Sequence, residues 1–145
     1  MWHGPALADL IGDVSAEDAA ARPVAGAHSI WELVHHVTAW AEIARVRLSS
    51  PSKPPDPTDE QDWPPVRDPS AEAWRAAVER LKDAHRELAG EVARCDDDRL
   101  SDWLPGRDHS ASVMLHGIME HGAYHGGQIA ILKRALARHS TPPRT

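Results

Sequence analysis

Apolar side chains recur every three to four residues in four stretches of the chain, which is the spacing of a buried helix face. These stretches predict helices over residues 5–14, 29–49, 70–94 and 112–138. No stretch alternates apolar and polar residues in the way a half-buried strand does. The pattern therefore indicates an all-α fold.

The second predicted helix has a distinct start signal. Ser29 and Glu32 stand three residues apart, which is the spacing of a capping box, where each side chain satisfies a backbone N–H of the other residue. A similar turn can open at Ser15. The second helix should therefore begin at Ser29 and present one apolar face up to about residue 49.

A proline-rich segment separates the second and third predicted helices. Residues 51–69 contain seven prolines, a density that we expect to prevent any regular element. Fully extended, the segment would span roughly 60 Å, whereas a 20-residue helix is only about 30 Å long. It can therefore return the chain to its starting end and place helices two and three parallel, which predicts a four-helix bundle with one long connection.

Composition restricts the class of protein. The 145 residues include one cysteine and carry a formal charge of −6. This length suits a single domain over 1–145, and the acidic balance argues against nucleic-acid binding, which needs a basic face. A lone cysteine forms no internal disulfide and fits a reducing cytoplasm. No long apolar run or signal-peptide pattern occurs, so we expect neither a membrane span nor secretion.

Histidine is abundant, with ten in the chain, and two of them stand out. His121 and His125 both fall within about 60° of the centre of the apolar face of the last predicted helix. Two imidazoles four residues apart on one side of a helix can ligate one metal ion. The alternative is a pair of core histidines, but each buried ring would then need its own polar partner. The spacing favours a metal site.

A third ligand must come from another helix. The second predicted helix carries His35 and His36, of which His36 points inward beside Trp40 and His35 points outward. His85 lies on the apolar stripe of the third predicted helix, where it is either a hydrogen-bonded core histidine or a reserve ligand. We therefore predict His36 as the third ligand.

Residues next to the histidine pair add further candidates. Gln128 lies one turn after His125 and can hydrogen-bond a bound water or ligand, or it can serve as a helix contact. Tyr124 faces sideways and is better suited to packing than to proton transfer. Glycines inside a helix cost stability, so a group of four indicates close helix approach or clearance for a substrate or a dimer partner: Gly117, Gly122, Gly126 and Gly127.

Two segments resemble the DinB/YfiT-like superfamily of small bacterial metal-binding helical bundles. They are SIWELVHHVTAW (29–40) and EHGAYHGGQIAIL (120–132). The resemblance implies a four-helix bundle in up-down-down-up order that is often a homodimer. It also implies one histidine ligand in the second helix and two in the last, which fall here on His36, His121 and His125.

The resemblance implies several activities. Members include thiol transferases that use a low-molecular-weight thiol, an isomerase of maleylpyruvate, and proteins described as metal-dependent hydrolases. We therefore expect a divalent metal, zinc or nickel first, and a small-molecule substrate for a thiol S-transferase or hydrolase type of enzyme. The alternatives are a non-enzymatic small-ligand-binding or stress-related protein with a structural metal, and a bundle with polar core histidines and no metal. The general base is not identified by sequence.

Overall fold

The computed structural model describes residues 7–139, and the described part of the chain contains helices and no strand, apart from an isolated bridge between Trp103 and Ser110. The all-α prediction is therefore confirmed. The helices are α1 (Leu7–Ile11), α2 (Ala16–Ala20), α3 (Ile30–Ser49), α4 (Asp59–Asp62), α5 (Ala71–Val92), α6 (Asp97–Ser101) and α7 (Ala111–His139).

The three long helices agree with the sequence pattern, and the short ones differ from it. The bounds of α3, α5 and α7 lie within about two residues of the predicted ones. The first predicted helix, 5–14, is shorter: residues 5 and 6 lie outside the described residues, and α1 ends at Ile11. Two further helices, α4 and α6, lie in stretches for which the sequence pattern predicted no helix.

Hydrogen bonds at the helix starts explain these bounds. The Ser29 hydroxyl accepts from the Glu32 N–H at 3.2 Å, and the Glu32 carboxylate accepts from the Ser29 N–H at 2.8 Å. This capping box confirms the predicted start of α3. Ser15 caps α2 in the same manner, because its hydroxyl accepts from the Asp18 N–H at 3.1 Å.

The core surrounds α3, which packs against α5 and α7. It consists of two clusters of buried apolar residues, one centred on Trp31, Trp74 and Ile129 and the other on Leu48 and Leu88. Along α3 the first cluster ends at residue 37 and the second begins at residue 41. The polar site described below lies at this interruption of the core.

A helix that crosses a membrane must be both long and apolar. Within residues 7–139, no helix combines the two properties needed to cross a membrane.

Candidate metal centre

Three histidines from two helices meet in the interior. On α3, His36 follows Leu33 by one turn, so its side chain shares the buried face and is only 6% exposed. On α7, His121 and His125 are one turn apart, and His125 is also 6% exposed. The Nε2 atom of His121 lies 2.9 Å from that of His36 and 3.0 Å from that of His125. The structure thus brings together the three histidines that the sequence selected.

The opposite ring nitrogens of two of these histidines are already bound. His36 Nδ1 donates to the main-chain carbonyl of Asp62 at 2.7 Å, and His125 Nδ1 donates to Gln128 Oε1 at 2.6 Å. A neutral imidazole carries one proton, so a ring that donates from Nδ1 presents a lone pair at Nε2. Both rings are therefore oriented as metal ligands are, with an outer hydrogen bond that fixes the tautomer.

In this arrangement, the Nε2 atoms at the centre of the cluster have too few N–H donors for the acceptors present. A neutral His121 can place at most one proton at Nε2, yet that atom faces the lone pairs of both His36 and His125. At most one of the two contacts can then be a well-formed hydrogen bond, and the other acceptor nitrogen is left without a donor. A cation at this point removes the conflict. Metal–nitrogen bonds of about 2.1 Å place two ligand nitrogens roughly 3.0 to 3.4 Å apart, close to the separations observed.

The rings favour the neutral form that metal ligation requires. Burial, reinforced by the neighbouring rings of His125 and His36, lowers the pKa of His121 to about 4. Burial also lowers the pKa of His125. Both rings are therefore neutral at pH 7, and they could hold a metal ion together with His36.

The proline-rich segment covers the cluster, which the sequence did not predict. The indole of Trp63 stacks on the His36 ring at 3.8 Å between centroids, and on the ring of His28 at the same distance. The Asp62 carboxylate lies 3.2 Å from His36 Nδ1 and accepts from the indole N–H of Trp40 at 2.7 Å. Asp62 and Trp63 therefore belong to the site.

The expectation that residues 51–69 hold no regular element is wrong because α4 forms between two prolines, Pro57 and Pro64. A capping box starts this single turn: the Thr58 hydroxyl accepts from the Gln61 N–H at 3.3 Å, and Gln61 Oε1 accepts from the Thr58 N–H at 2.9 Å. The Thr58–Gln61 spacing was the available sequence signal. The prediction relied on the high proline content of the segment and did not use this capping-box spacing.

The other predicted site residues lie at different distances from the centre. The ring of Trp40 is 6.0 Å from that of His121. Gln128 binds the back of the His125 ring and is not directed at the centre of the cluster. Tyr124 is 65% exposed, and its ring lies 5.0 Å from that of His125.

The predicted burial of His85 is wrong. The buried face of α5 passes through Leu81, Ala84 and Leu88, so the small residue Ala84 takes the core position and His85 is turned to the surface. Its Nδ1 donates to the carbonyl of Leu81, one turn earlier in the same helix, at 2.9 Å. His85 is not part of the three-histidine cluster.

His35 points away from the cluster, as predicted, but it is half-buried and has a structural contact. Its Nδ1 donates to the carbonyl of Pro64 at 3.0 Å, and its Nε2 accepts from the indole N–H of Trp31 at 3.0 Å. Adjacent histidines on α3 therefore both hold the proline-rich segment, His36 through Asp62 and His35 through Pro64.

A cavity of about 350 Å³ borders the cluster, at the lower end of the size range of small-molecule sites. His36, His121 and Asp62 lie at its wall together with Arg47, while Trp40, Ala44, Met114 and Ile118 supply apolar surface. Gly117 also lines it, and a Cβ atom at this position would meet no heavy atom within 4 Å. Close helix packing therefore does not explain the glycine at this position.

A family profile of the DinB superfamily matches residues 2–129. This stretch includes the three clustered histidines and the whole proline-rich segment. No curated protein and no solved structure gives a significant match to the chain. Because the profile spans most of the sequence, the chain belongs to the DinB superfamily.

Proposed function

We propose that this protein is a cytoplasmic, metal-dependent enzyme that acts on a small molecule, with one divalent cation held by His36, His121 and His125. The observation that carries the proposal is the convergence of three Nε2 atoms, two of which present lone pairs because their rings donate from Nδ1. Without a cation, one proton at His121 Nε2 cannot satisfy both of these acceptor nitrogens.

The chemistry of the donors supports zinc or nickel. Neutral imidazoles suit the later first-row divalent ions, whereas magnesium and calcium prefer oxygen donors. Three protein ligands leave at least one position open, which is typical of catalytic and not of structural sites. When bound, such a cation acts as a Lewis acid that lowers the pKa of a water or thiol ligand.

The residues around the cavity take distinct roles in this proposal. Asp62 is an acidic residue that lines the cavity, so its carboxylate is our candidate for the acceptor of the proton that a water or thiol loses. Trp40 and Trp63 shield the imidazoles from bulk water. These roles suit thiol S-transfer, with a low-molecular-weight thiol as co-substrate, and they suit hydrolysis equally.

A structural metal is the second candidate. His36 is tied to the proline-rich segment through Asp62, and the partner imidazoles belong to α7. A cation here would join three separate parts of the chain and stabilise the fold by mass action. The open cavity beside the cluster favours the enzyme, because a purely structural ion needs no access.

Metal analysis tests the shared premise. Untagged wild-type protein, loaded with zinc or nickel and passed through a desalting column, should retain about one ion per chain. His36→Gln, His121→Gln and His125→Gln should each lose most of it. The matched control is His116→Gln, because His116 is an exposed histidine on α7, the helix that carries His121 and His125. Metal content below about 0.1 per wild-type chain would end the proposal.

Measurements of reaction rate and of melting temperature distinguish a metal-dependent enzyme from a protein in which the metal is structural. Metal-loaded protein is incubated with a thiol and a panel of small electrophiles, and separately with the panel in water alone. The enzyme proposal requires at least one rate that His125→Gln removes and His116→Gln leaves unchanged. If no rate depends on His125 while chelation lowers the melting temperature by several degrees, the metal is structural.

Two further expectations stay part of this proposal. We infer a four-helix bundle in up-down-down-up order formed by α1, α3, α5 and α7, supported by the long proline-rich connection between α3 and α5. We also infer a homodimer, supported by large apolar side chains exposed along α7, among them Met119, Tyr124 and Ile131. Sedimentation velocity on the metal-loaded protein tests the second point, and a monomer across the micromolar range would contradict it.

A further inference from the structure

The cavity beside the histidine cluster is also lined by a cationic side chain. Arg47, eleven residues after His36 on α3, lines the same cavity as His36 and His121. Its side chain is only 11% exposed. Its guanidinium carbon lies 5.3 Å from the centroid of the Trp40 ring, and the same ring lies 6.0 Å from that of His121. One indole therefore borders both a fixed guanidinium and an imidazole of the cluster.

The positive charge of Arg47 is incompletely neutralised. Its ion pair within the described residues is with Asp56, at 3.6 Å. The same carboxylate pairs with Arg107 at 2.6 Å and with Lys53 at 3.6 Å. Three cations thus share one carboxylate, and Asp56 is committed most closely to Arg107.

The surroundings of Arg47 also leave hydrogen-bonding capacity unused. Its Nε atom is buried and has no hydrogen-bond partner, and a buried donor without an acceptor is costly. Burial, together with the nearby Arg107 guanidinium, lowers the pKa of Arg47. Both observations describe a desolvated cation next to a cavity, an arrangement that an anionic ligand would stabilise.

We propose that Arg47 binds the carboxylate of the substrate, and that the substrate is a small organic acid with an apolar middle whose reacting end reaches the histidine cluster. A guanidinium offers parallel N–H groups that match the two oxygens of a carboxylate. Ala44, Met114 and Ile118 supply the apolar wall between the two ends. The placement of the reacting end of the substrate rests on the proposed function. The placement of its carboxylate rests on Arg47 alone.

The metal-binding preference of the ligand groups supports this orientation. A divalent cation held by neutral imidazoles would attract a carboxylate as well as a thiol, but a thiolate is the softer donor and the better ligand for zinc. A ligand that carries both groups therefore directs its thiol to the histidines and its carboxylate to Arg47.

Two probes of equal length test the proposal. Mercaptohexanoate carries a thiol that ligates zinc and a carboxylate, and mercaptohexanol replaces the carboxylate by a neutral hydroxyl. We expect zinc-loaded wild-type protein to bind the acid at least about tenfold more tightly than the alcohol in calorimetric titrations. In Arg47→Gln the ratio should fall to about one, and Arg47→Lys should keep only part of the preference because lysine lacks the planar fork.

A neighbouring arginine supplies the matched control. Arg45 on the same helix pairs with Glu87 at 3.3 Å and does not line this cavity, so Arg45→Gln should keep the wild-type ratio. Thermal melts verify that each variant is folded. Equal affinities for acid and alcohol in the wild type, or a preference that survives Arg47→Gln, would overturn the inference.

Failure of the metal site is distinguishable from failure of the carboxylate site. If metal analysis shows that the wild-type chain binds no ion, hexanoate and hexanol are compared on the protein as purified, with tryptophan fluorescence as the readout. Preference for the acid that disappears in Arg47→Gln then supports the carboxylate site without the metal. The absence of such a preference overturns it.

Discussion

His36 donates a hydrogen bond from Nδ1 to the main-chain carbonyl of Asp62 at 2.7 Å, across 26 residues of sequence. The bond fixes the imidazole so that Nε2 faces the two histidines of α7. It also holds the proline-rich segment against α3. Asp62 therefore has two parts with separate roles. Its main-chain carbonyl orients the His36 imidazole, and its side chain is the candidate proton acceptor.

Asp62→Asn should separate these two functions. Asparagine keeps the main-chain carbonyl that orients His36 and retains an oxygen for the Trp40 indole, but it is not a base at neutral pH. We expect metal content to stay at the wild-type level and the turnover rate to fall by about a hundredfold or more.

Asp59→Asn is the control for Asp62→Asn, because Asp59 is an exposed acid in the same short helix. Equal rates in the wild type and in Asp62→Asn would assign the carboxylate a purely structural role.

Gln128 should determine how tightly the cation is held. Its Oε1 accepts from His125 Nδ1 at 2.6 Å, and loss of such an outer hydrogen bond typically weakens metal affinity by about ten- to a hundredfold. We expect this loss in Gln128→Leu, measured by competition with a chromophoric chelator. Gln128→Glu retains an acceptor, so it should bind the metal at least as tightly as the wild type. If Gln128→Leu keeps the wild-type affinity, this hydrogen bond does not contribute to metal binding.

The three clustered histidines could be predicted because they lie on long, regular helices. On such a helix, a residue's position relative to apolar neighbours determines its direction. His36 and His125 are buried on α3 and α7, and His121 is half-buried at the border of the same α7 face. The prediction failed where the chain is not periodic. Asp62 and Trp63 reach the cluster through a single turn between prolines, whose placement depends on tertiary contacts such as the stacking of Trp63 on His36.

His85 shows a second limit of sequence reasoning. Its helix carries large apolar residues at Leu81 and Leu88, which made His85 resemble a position on their stripe. The structure instead buries Ala84, in the same core cluster as the equally small Ala41 and Ala44 of α3. Small residues allow the two helices to approach closely, and a hydrophobicity pattern gives them too little weight.

Trp63 should protect the metal from exchange. Its ring stacks between His36 and His28 at 3.8 Å from each, so its loss would open the cluster to solvent. We expect Trp63→Leu to release zinc to a chelator several times faster than the wild type and to lower stability by about 1 to 3 kcal/mol, as loss of a partly buried aromatic does.

Trp103→Leu is the matched control for Trp63→Leu, since Trp103 is 68% exposed. Identical zinc release from the wild type and from Trp63→Leu would show that the stacked ring does not limit exchange.

The metal-free protein should lose stability as the solution becomes mildly acidic. The pKa of His121 is about 4 in the folded chain, below the value of about 6.5 for an unfolded histidine. The unfolded state therefore binds a proton first. The stabilising contribution is complete above pH 6.5 and is lost as the pH falls towards 4. The urea midpoint, measured with a chelator present, should decrease over this window.

Variants of the two α7 histidines assign this pH dependence. His121→Gln removes the titrating ring, so the decrease in the urea midpoint should become shallower, with His125 still contributing because burial lowers its pKa as well. His116→Gln should retain the wild-type decrease, because His116 is exposed. Carboxylates whose pKa values are lowered, such as Asp56, titrate at more acidic pH and are shared by all three proteins, so they cancel in the comparison. A wild-type midpoint that stays constant between about pH 6.5 and 4.5 would contradict the assignment of a buried, neutral His121.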